Sequence, residues 1–367
     1  MKSIYVFAFF VSILVSSYGQ DNIDFTILKT PYRISLAADA GVLLGQAEEI
    51  VYKNSNDDAY LSQLLWDLKP LVYLGSSLSL SRADPLSGFG LGADLSVKFG
   101  LPIFSGTMED RDWVNEAYPD MLTHFSSHNA YIQGAMLLDL AGGITIPIAG
   151  RVAIKALVSF SYMRFSWIAQ HGYTQYDKTN GWSPSTPKTP VNGTGISYDQ
   201  NWIILSPGIE VFWPFYRGLS LDFRFFISPG IWSWDMDNHY MNIDPGKKYT
   251  QYSDNTEGGL YLEPSLALAF SPIPSLSLVL HGAWRYINGT RGDVYELIAG
   301  FNTNSPTYAS NRAGVGYSAV DVGLSLKLAL PLGLIPKLGS KKTGPSVKPE
   351  EASDPSQQSP VPQSPEE

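Results

Sequence analysis

The chain has 367 residues, no cysteine, and a formal net charge of −9 with only 16% charged residues. The acidic balance excludes nucleic acid as a partner, because neutralising phosphates needs clustered Lys and Arg. The missing cysteines exclude disulfides, so an exported chain of this size must be held by a large fold or by a membrane.

The first 19 residues read as an export signal. Lys2 supplies a positive n-region, residues 4–15 an apolar h-region too short to span a bilayer, and Ser17-Tyr18-Gly19 small residues at a cleavage site. Residues 1–19 are therefore expected to be a cleaved signal peptide, with no following Cys to carry a lipid anchor. No later run is long enough for a transmembrane helix. Yet the chain is 44% hydrophobic and 13% aromatic. That suits a transmembrane barrel, where apolar residues alternate with polar ones and aromatics form girdles. At the far end, residues 340–367 are rich in Pro, Ser, Gln and Glu and offer nothing to bury, so a disordered tail is expected there. Between the two lies one domain, residues 20–339.

Along that domain, apolar and polar residues alternate over residues 89–101, 152–162, 219–228, 260–270, 276–286 and 320–330. In Leu219–Ser228 the odd positions are Leu219, Leu221, Phe223, Phe225 and Ile227, while the even ones include Ser220, Asp222, Arg224 and Ser228. A period of two over such lengths marks half-buried strands. Short turns near residues 82–87, 149–150, 216–218 and 271–275 alternate with long polar segments near 52–59, 105–128, 174–195, 235–256 and 288–312. Short turns on one side and long loops on the other predict an all-β fold: a ten-stranded antiparallel transmembrane β-barrel of outer-membrane type. The competing architecture is a soluble β-sandwich. Asp94, Lys98, Asp222, Arg224, Asp321 and Lys327 on the polar faces suit a barrel interior better, though periodicity alone leaves both open.

Two clusters could carry chemistry. In Met108-Glu109-Asp110-Arg111-Asp112-Trp113, Asp110 and Asp112 share parity with Asp94 and Lys98, so both are expected to face inward. Two such carboxylates repel when both are ionised, which raises one pKa, and together they can hold and polarise a water. In a loop, an Asp-x-Asp is more often a solvated turn. In Trp234-Asp235-Met236-Asp237-Asn238-His239-Tyr240, Asp237 and His239 share one face of an extended chain. A carboxylate beside an imidazole orients the ring and stabilises its cation, which improves the base. The polar positions of the preceding strand are even-numbered and this cluster is odd-numbered, so strict alternation points it outward. A bulge at Pro229-Gly230 would reset the face. His124 and His128 are four residues apart, a spacing that suits two metal ligands only on a helix, and the segment is rich in Ser. No metal and no cofactor is expected.

Asp110-Arg111-Asp112-Trp113 with its long following segment, and Asp235 to Tyr240 followed by Asp244-Pro245-Gly246-Lys247, resemble the omptin family of outer-membrane aspartyl-type endopeptidases. Gly45-Gln46-Ala47-Glu48-Glu49-Ile50-Val51-Tyr52, Ser62-Gln63-Leu64-Leu65-Trp66 and Gly282-Ala283-Trp284-Arg285 share the resemblance, which runs in order over nearly all of residues 30–332. It implies a ten-stranded outer-membrane barrel whose active site faces outside and cleaves polypeptides next to basic residues without a metal. It further implies that Asp110 and Asp112 form an aspartate pair and that Asp237 and His239 form a dyad on the opposite wall. A water between His239 and Asp110 would attack the scissile carbonyl. Glu49 and Asp235 match the acids that bind the basic side chain before the scissile bond, and Glu49 shares parity with Ser35 and Asp39 on its strand. Three departures stand out. His124 occupies the position of the family's acid for the residue after the scissile bond. Arg164 matches one of the basic residues by which many omptins bind lipopolysaccharide, but Tyr162 replaces its partner acid and the other basic positions are not evident. The chain also continues beyond its last aromatic strand. The alternative is a non-catalytic omptin-like barrel acting as a surface adhesin; the joint presence of all four catalytic positions favours the enzyme.

Overall fold

The computed structural model describes residues 32–56, 58–148, 151–240, 249–299 and 307–331. The expected signal peptide, the expected tail and the Asp244-Pro245-Gly246-Lys247 run lie outside the described residues. The strands are β1 (Tyr32–Tyr52), β2 (Tyr60–Arg82), β3 (Gly90–Gly100), β4 (Ile103–Asp112), β5 (His124–Ile148), β6 (Val152–Tyr176), β7 (Thr189–Pro190) and β8 (Thr194–Tyr216). They continue as β9 (Leu219–Ser228), β10 (Ile231–His239), β11 (Tyr249–Glu257), β12 (Leu260–Ile273), β13 (Leu276–Asn288), β14 (Arg291–Ala299) and β15 (Thr307–Pro331). No helix occurs among the described residues.

Every pairing is antiparallel, and the sheet closes. β15 pairs with β1 on one side and with β13 and β14 on the other. β3 and β4 are successive halves of one wall strand, since both lie between β2 and β5. The same holds for β9 with β10, β12 with β11, and β13 with β14. Counted this way the wall has ten strands, as the sequence predicts. Closure pairs each strand of the wall on both sides, which a lipid environment demands.

The outer face has two zones. On the lower parts of β1 and β15 the large exposed outward residues are Leu36, Leu44, Val320, Val322, Leu324, Leu326, Leu328 and Leu330. This apolar band ends where Leu44 pairs with Val320. Beyond it the outward positions turn polar: Gln46 and Glu48 on β1, Gln63 and Asp67 on β2, Arg164 on β6, Asp199 on β8. Exposed Trp232, Trp234 and Trp284 sit around the boundary. The lower barrel thus faces lipid, and the upper barrel stands clear of it.

This division corrects part of the sequence reading. Much of the segments 105–128, 235–256 and 288–312, expected as loops, is upper wall, namely β4, the start of β5, β10, β11, β14 and the start of β15. Their outward face meets water, so they carry no apolar stripe for a period-two reading to find.

The interior of the lower barrel is an ion-pair network. Arg224 bonds Asp94 at 3.0 Å and Glu210 at 2.7 Å, Arg285 bonds Asp139 at 2.7 Å and Glu263 at 3.2 Å, and Lys98 pairs with Asp321. A sandwich would expose these charges; here they line the inside. Above the network lies a plug of buried rings. Trp66 stacks on Tyr198 with centroids 5.3 Å apart, Trp167 on Tyr198 at 5.8 Å, and Phe165 on Tyr317 at 5.6 Å. Such rings fill a narrow barrel and close it to flow.

Candidate active site

The site lies above the plug and beyond the outer apolar band. β4 brings in the first pair of acids. Even-numbered residues face inward on both halves of this wall strand, as buried Lys98 and Met108 show. They do so although the strand breaks at Leu101–Pro102 and shifts register between Phe104 and Gly106. Gly106 has φ 120°, and a Cβ there would come within 2.7 Å of Asp67. The Asp67 carboxylate instead accepts from the Thr107 N–H and hydroxyl, each at 3.0 Å, and so satisfies the irregular turn of chain. Asp110 then lies opposite Leu64 and Ser126, and Asp112 opposite Ser62 and His124. The Ser62 hydroxyl bonds to both carboxylates. Burial, and for Asp110 also the nearby Asp112, pushes both carboxyls above the usual range. Asp110 Oδ1 is buried without a partner.

β10 brings in the second pair, and the bulge is there. β8 pairs Gly208 with Phe226 of β9 but Ile204 with Ile231 of β10. Four residues on β8 therefore span five on the other strand. Ser228 fills the irregularity, its hydroxyl donating to the Leu205 carbonyl at 2.7 Å and accepting the Gly230 N–H at 3.1 Å. The extra residue turns Ser233, Asp235 and Asp237 inward and Trp232, Trp234 and Met236 outward. Asp237, 1% exposed, meets His239 Nε2 with its Oδ2 at 2.5 Å. Its Oδ1 is buried and unpartnered. Burial opposes the imidazolium of His239, but Asp237, then Asp110 and Asp112, outweigh it and lift the ring to about 9. Charge on the β4 wall is thus felt by the ring on the β10 wall, so the two pairs face one another across the interior.

Beside the dyad lies an acidic recess. Glu49 on β1, 3% exposed, keeps its Oε2 buried and unpartnered. Asp235 accepts from the Tyr198 hydroxyl at 3.1 Å, which ties the recess to the plug. Burial first, then mutual repulsion among Glu49, Asp235 and Asp237, holds Glu49 and Asp235 well above the usual carboxylate range. The sequence reading missed one member. Asp254 of β11 lies directly opposite Asp235 and faces inward. Its segment reads as a polar loop, and only the hairpin register reveals it.

The remaining candidates fall elsewhere. Arg164 is exposed on the outer wall, 3.2 Å from Asp199, next to Tyr162, which stacks on Trp234 at 6.3 Å. His124 is buried opposite Asp112, with Nδ1 3.0 Å from the Thr123 hydroxyl and its ring edge-on to Tyr176. His128 bonds Ser126 at 3.1 Å. Four residues of strand separate the two histidines by roughly 13 Å, too far to share one ion. No group of three or more metal-ligating side chains is assembled among the described residues.

A closed wall, an outer apolar band and a charged interior define an outer-membrane β-barrel, here with a buried set of ionisable groups beyond the lipid zone. The chain belongs to the omptin family, whose description matches residues 30–330. Protease 7 of Escherichia coli (strain K12) is 23% identical over 304 residues, which cover 83% of this chain and 91% of that protein. The plasminogen activator of Yersinia pestis is 26% identical over 275 residues, 72% of this chain and 83% of that protein. The crystal structure of the outer membrane protease OmpT from Escherichia coli shares the fold, with a TM-score of 0.70 at 21% identity over 81% of this chain and 97% of that one.

Proposed function

We propose that the protein is an endopeptidase that cleaves polypeptides next to basic residues by general-base activation of water, with no metal. The observation that carries this reading is the 2.5 Å contact of Asp237 with His239 on the wall facing Asp110. With Nε2–H held by Asp237, the lone pair of His239 lies on Nδ1, where a water can give up its proton. Asp237 stabilises the imidazolium as it forms, the role a buried carboxylate plays in other hydrolytic dyads. Burial, and for Asp110 also the neighbouring Asp112, raises both carboxyls, which favours a proton on one member of the pair. That proton donates to the developing oxyanion while the unpartnered Asp110 oxygen holds the attacking water. His239 then returns its proton to the leaving amine. Glu49 and Asp235 receive the basic side chain before the scissile bond, since a cation entering so deep a recess must be met by carboxylates. His124 stands where an acid would favour Lys after the bond, so no such preference is expected. Arg164 is offered as an outer-wall contact for lipid phosphate. Because it already pairs with Asp199, cleavage is expected with and without lipopolysaccharide.

The test is refolded protein on a quenched peptide library, with and without lipopolysaccharide and EDTA, with product masses locating the cut. Cleavage next to Arg or Lys that survives EDTA is expected. Inertness toward every peptide, or loss of cleavage on chelation, overturns the reading.

A further inference from the structure

Asp254 is 1% exposed, and neither of its carboxylate oxygens has a hydrogen-bond partner among the described residues. It faces Asp235 in direct cross-strand register. Like charges placed so repel, and the fold gains nothing from the pair by itself. The surroundings are rich in acceptors and poor in donors, the Tyr198 hydroxyl being already committed to Asp235. Gln200, opposite Asp235 on β8, gives its amide N–H to the Glu48 carbonyl at 3.1 Å and leaves Oε1 buried and bare. Ser233 and Thr256, the next cross-strand pair down, have buried hydroxyls with no partner, and Glu49 Oε2 is bare across the recess. Buried polar atoms are almost always satisfied, so a group of unsatisfied acceptors on β1, β8, β10 and β11 implies a donor that arrives from outside.

The chemistry of that donor can be read from the acceptors. They are spread over four strands, and no metal-holding group is assembled among the described residues. A bare metal ion needs oxygens converging on one point. A lysine ammonium is likewise a compact point charge with three donors. A guanidinium carries five N–H groups in a rigid plane and reaches acceptors that stand apart.

We propose that Asp254 is a third carboxylate of the specificity pocket and that it makes the pocket select arginine over lysine before the scissile bond. The inference rests on the reading of Glu49 and Asp235 as that pocket and adds a residue and a choice of cation to it. Asp254 and Asp235 stand side by side on neighbouring strands, so the two carboxylates line one edge of the guanidinium plane while Glu49 closes the other. An ammonium satisfies one or two of these acceptors and leaves the rest bare, and bare buried acceptors are what discriminate between substrates.

Asp254→Asn keeps the shape and removes the charge. In the full chain, kcat/KM is measured on three peptides that differ only before the scissile bond, with Arg, Lys or norleucine there. The Arg peptide should lose about 30-fold, the Lys peptide about fivefold and the norleucine peptide least, so that the Arg-to-Lys ratio falls at least about fivefold. Equal losses on Arg and Lys, as a structural role would give, overturn the proposal; so does no loss. A wild-type protein that cuts the norleucine peptide as fast as the Arg peptide removes the basic pocket itself, and the proposal with it. A second arm needs no variant. Butylguanidine and pentylamine are compared as competitive inhibitors of the wild type, and the guanidine should bind about tenfold or more tightly. Equal inhibition contradicts the assignment.

Discussion

The lower and upper halves of this barrel bury charge to a similar degree and to opposite ends. Below the aromatic plug the two arginines at the centre of the network are matched, Arg224 by Asp94 and Glu210, Arg285 by Asp139 and Glu263. Above the plug, Glu49, Asp110, Asp235, Asp237 and Asp254 share one interior with His239, and several of their oxygens have no partner. A buried charge that is paired holds a fold together. One that is left unpaired destabilises the empty protein and is retained for what it meets later, a water or a substrate cation. The comparison teaches where to look for chemistry in a closed barrel: where the matching stops.

If that contrast is right, damage to the two halves reads out differently. The largest effect belongs below. Arg285→Ala leaves Asp139 and Glu263 buried without their cation, at a cost of roughly 3–5 kcal/mol in unfolding free energy. Denaturant titration in micelles checks this, and the preference for basic substrates should be unchanged in the folded fraction. Above the plug the effect falls on rate. Asp237→Asn and Asp110→Ala should each lower kcat by about 10²-fold or more, the scale of a lost general base, with the barrel still folded.

The next effect is on choice of substrate. Glu49→Gln should slow cleavage after Arg about tenfold more than cleavage after an uncharged residue, measured as kcat/KM on paired peptides. Equal losses would take Glu49 out of the pocket.

The smallest is a displacement in pH. A protonated ring cannot accept a proton, so kcat/KM of the free protein should climb with pH toward the His239 value of about 9. Asp112→Asn removes one of the charges that raise the ring, so the limb should move to lower pH, by up to about one unit. A limb that stays or moves upward contradicts the assignment of the base. The same shift has a stability sign. The folded His239 is raised above the ordinary imidazole value of 6.5, so its contribution is fully present below that pH and is lost as pH rises through about 9.

The two halves also differed in how legible they were. The lower wall shows itself in segments such as Leu219–Ser228, because one face meets lipid and the other meets charge. The upper wall does not. In β11, Ser253 and Asn255 point outward and Asp254 and Thr256 inward, all polar, so no period stands out and Asp254 was passed over. Glu49 was placed correctly because inward-facing odd positions run unbroken from Ser35 and Asp39 along β1. Asp110 and Asp112 keep the expected parity, although a strand break and a register shift both intervene. For Asp237 and His239 the spacing was plain, yet their facing hung on one extra residue at Pro229–Gly230. A Pro-Gly step makes such a bulge plausible in a sequence, and only the register against β8 establishes it.

The central claim is that the unmatched charges of the upper barrel hydrolyse peptide bonds. His239→Ala tests it most directly, with initial rates on an Arg-containing quenched peptide beside the wild type, both shown to be folded by circular dichroism. The account predicts that the variant folds and loses about 10²-fold or more in kcat. A folded variant that cleaves at the wild-type rate would contradict it.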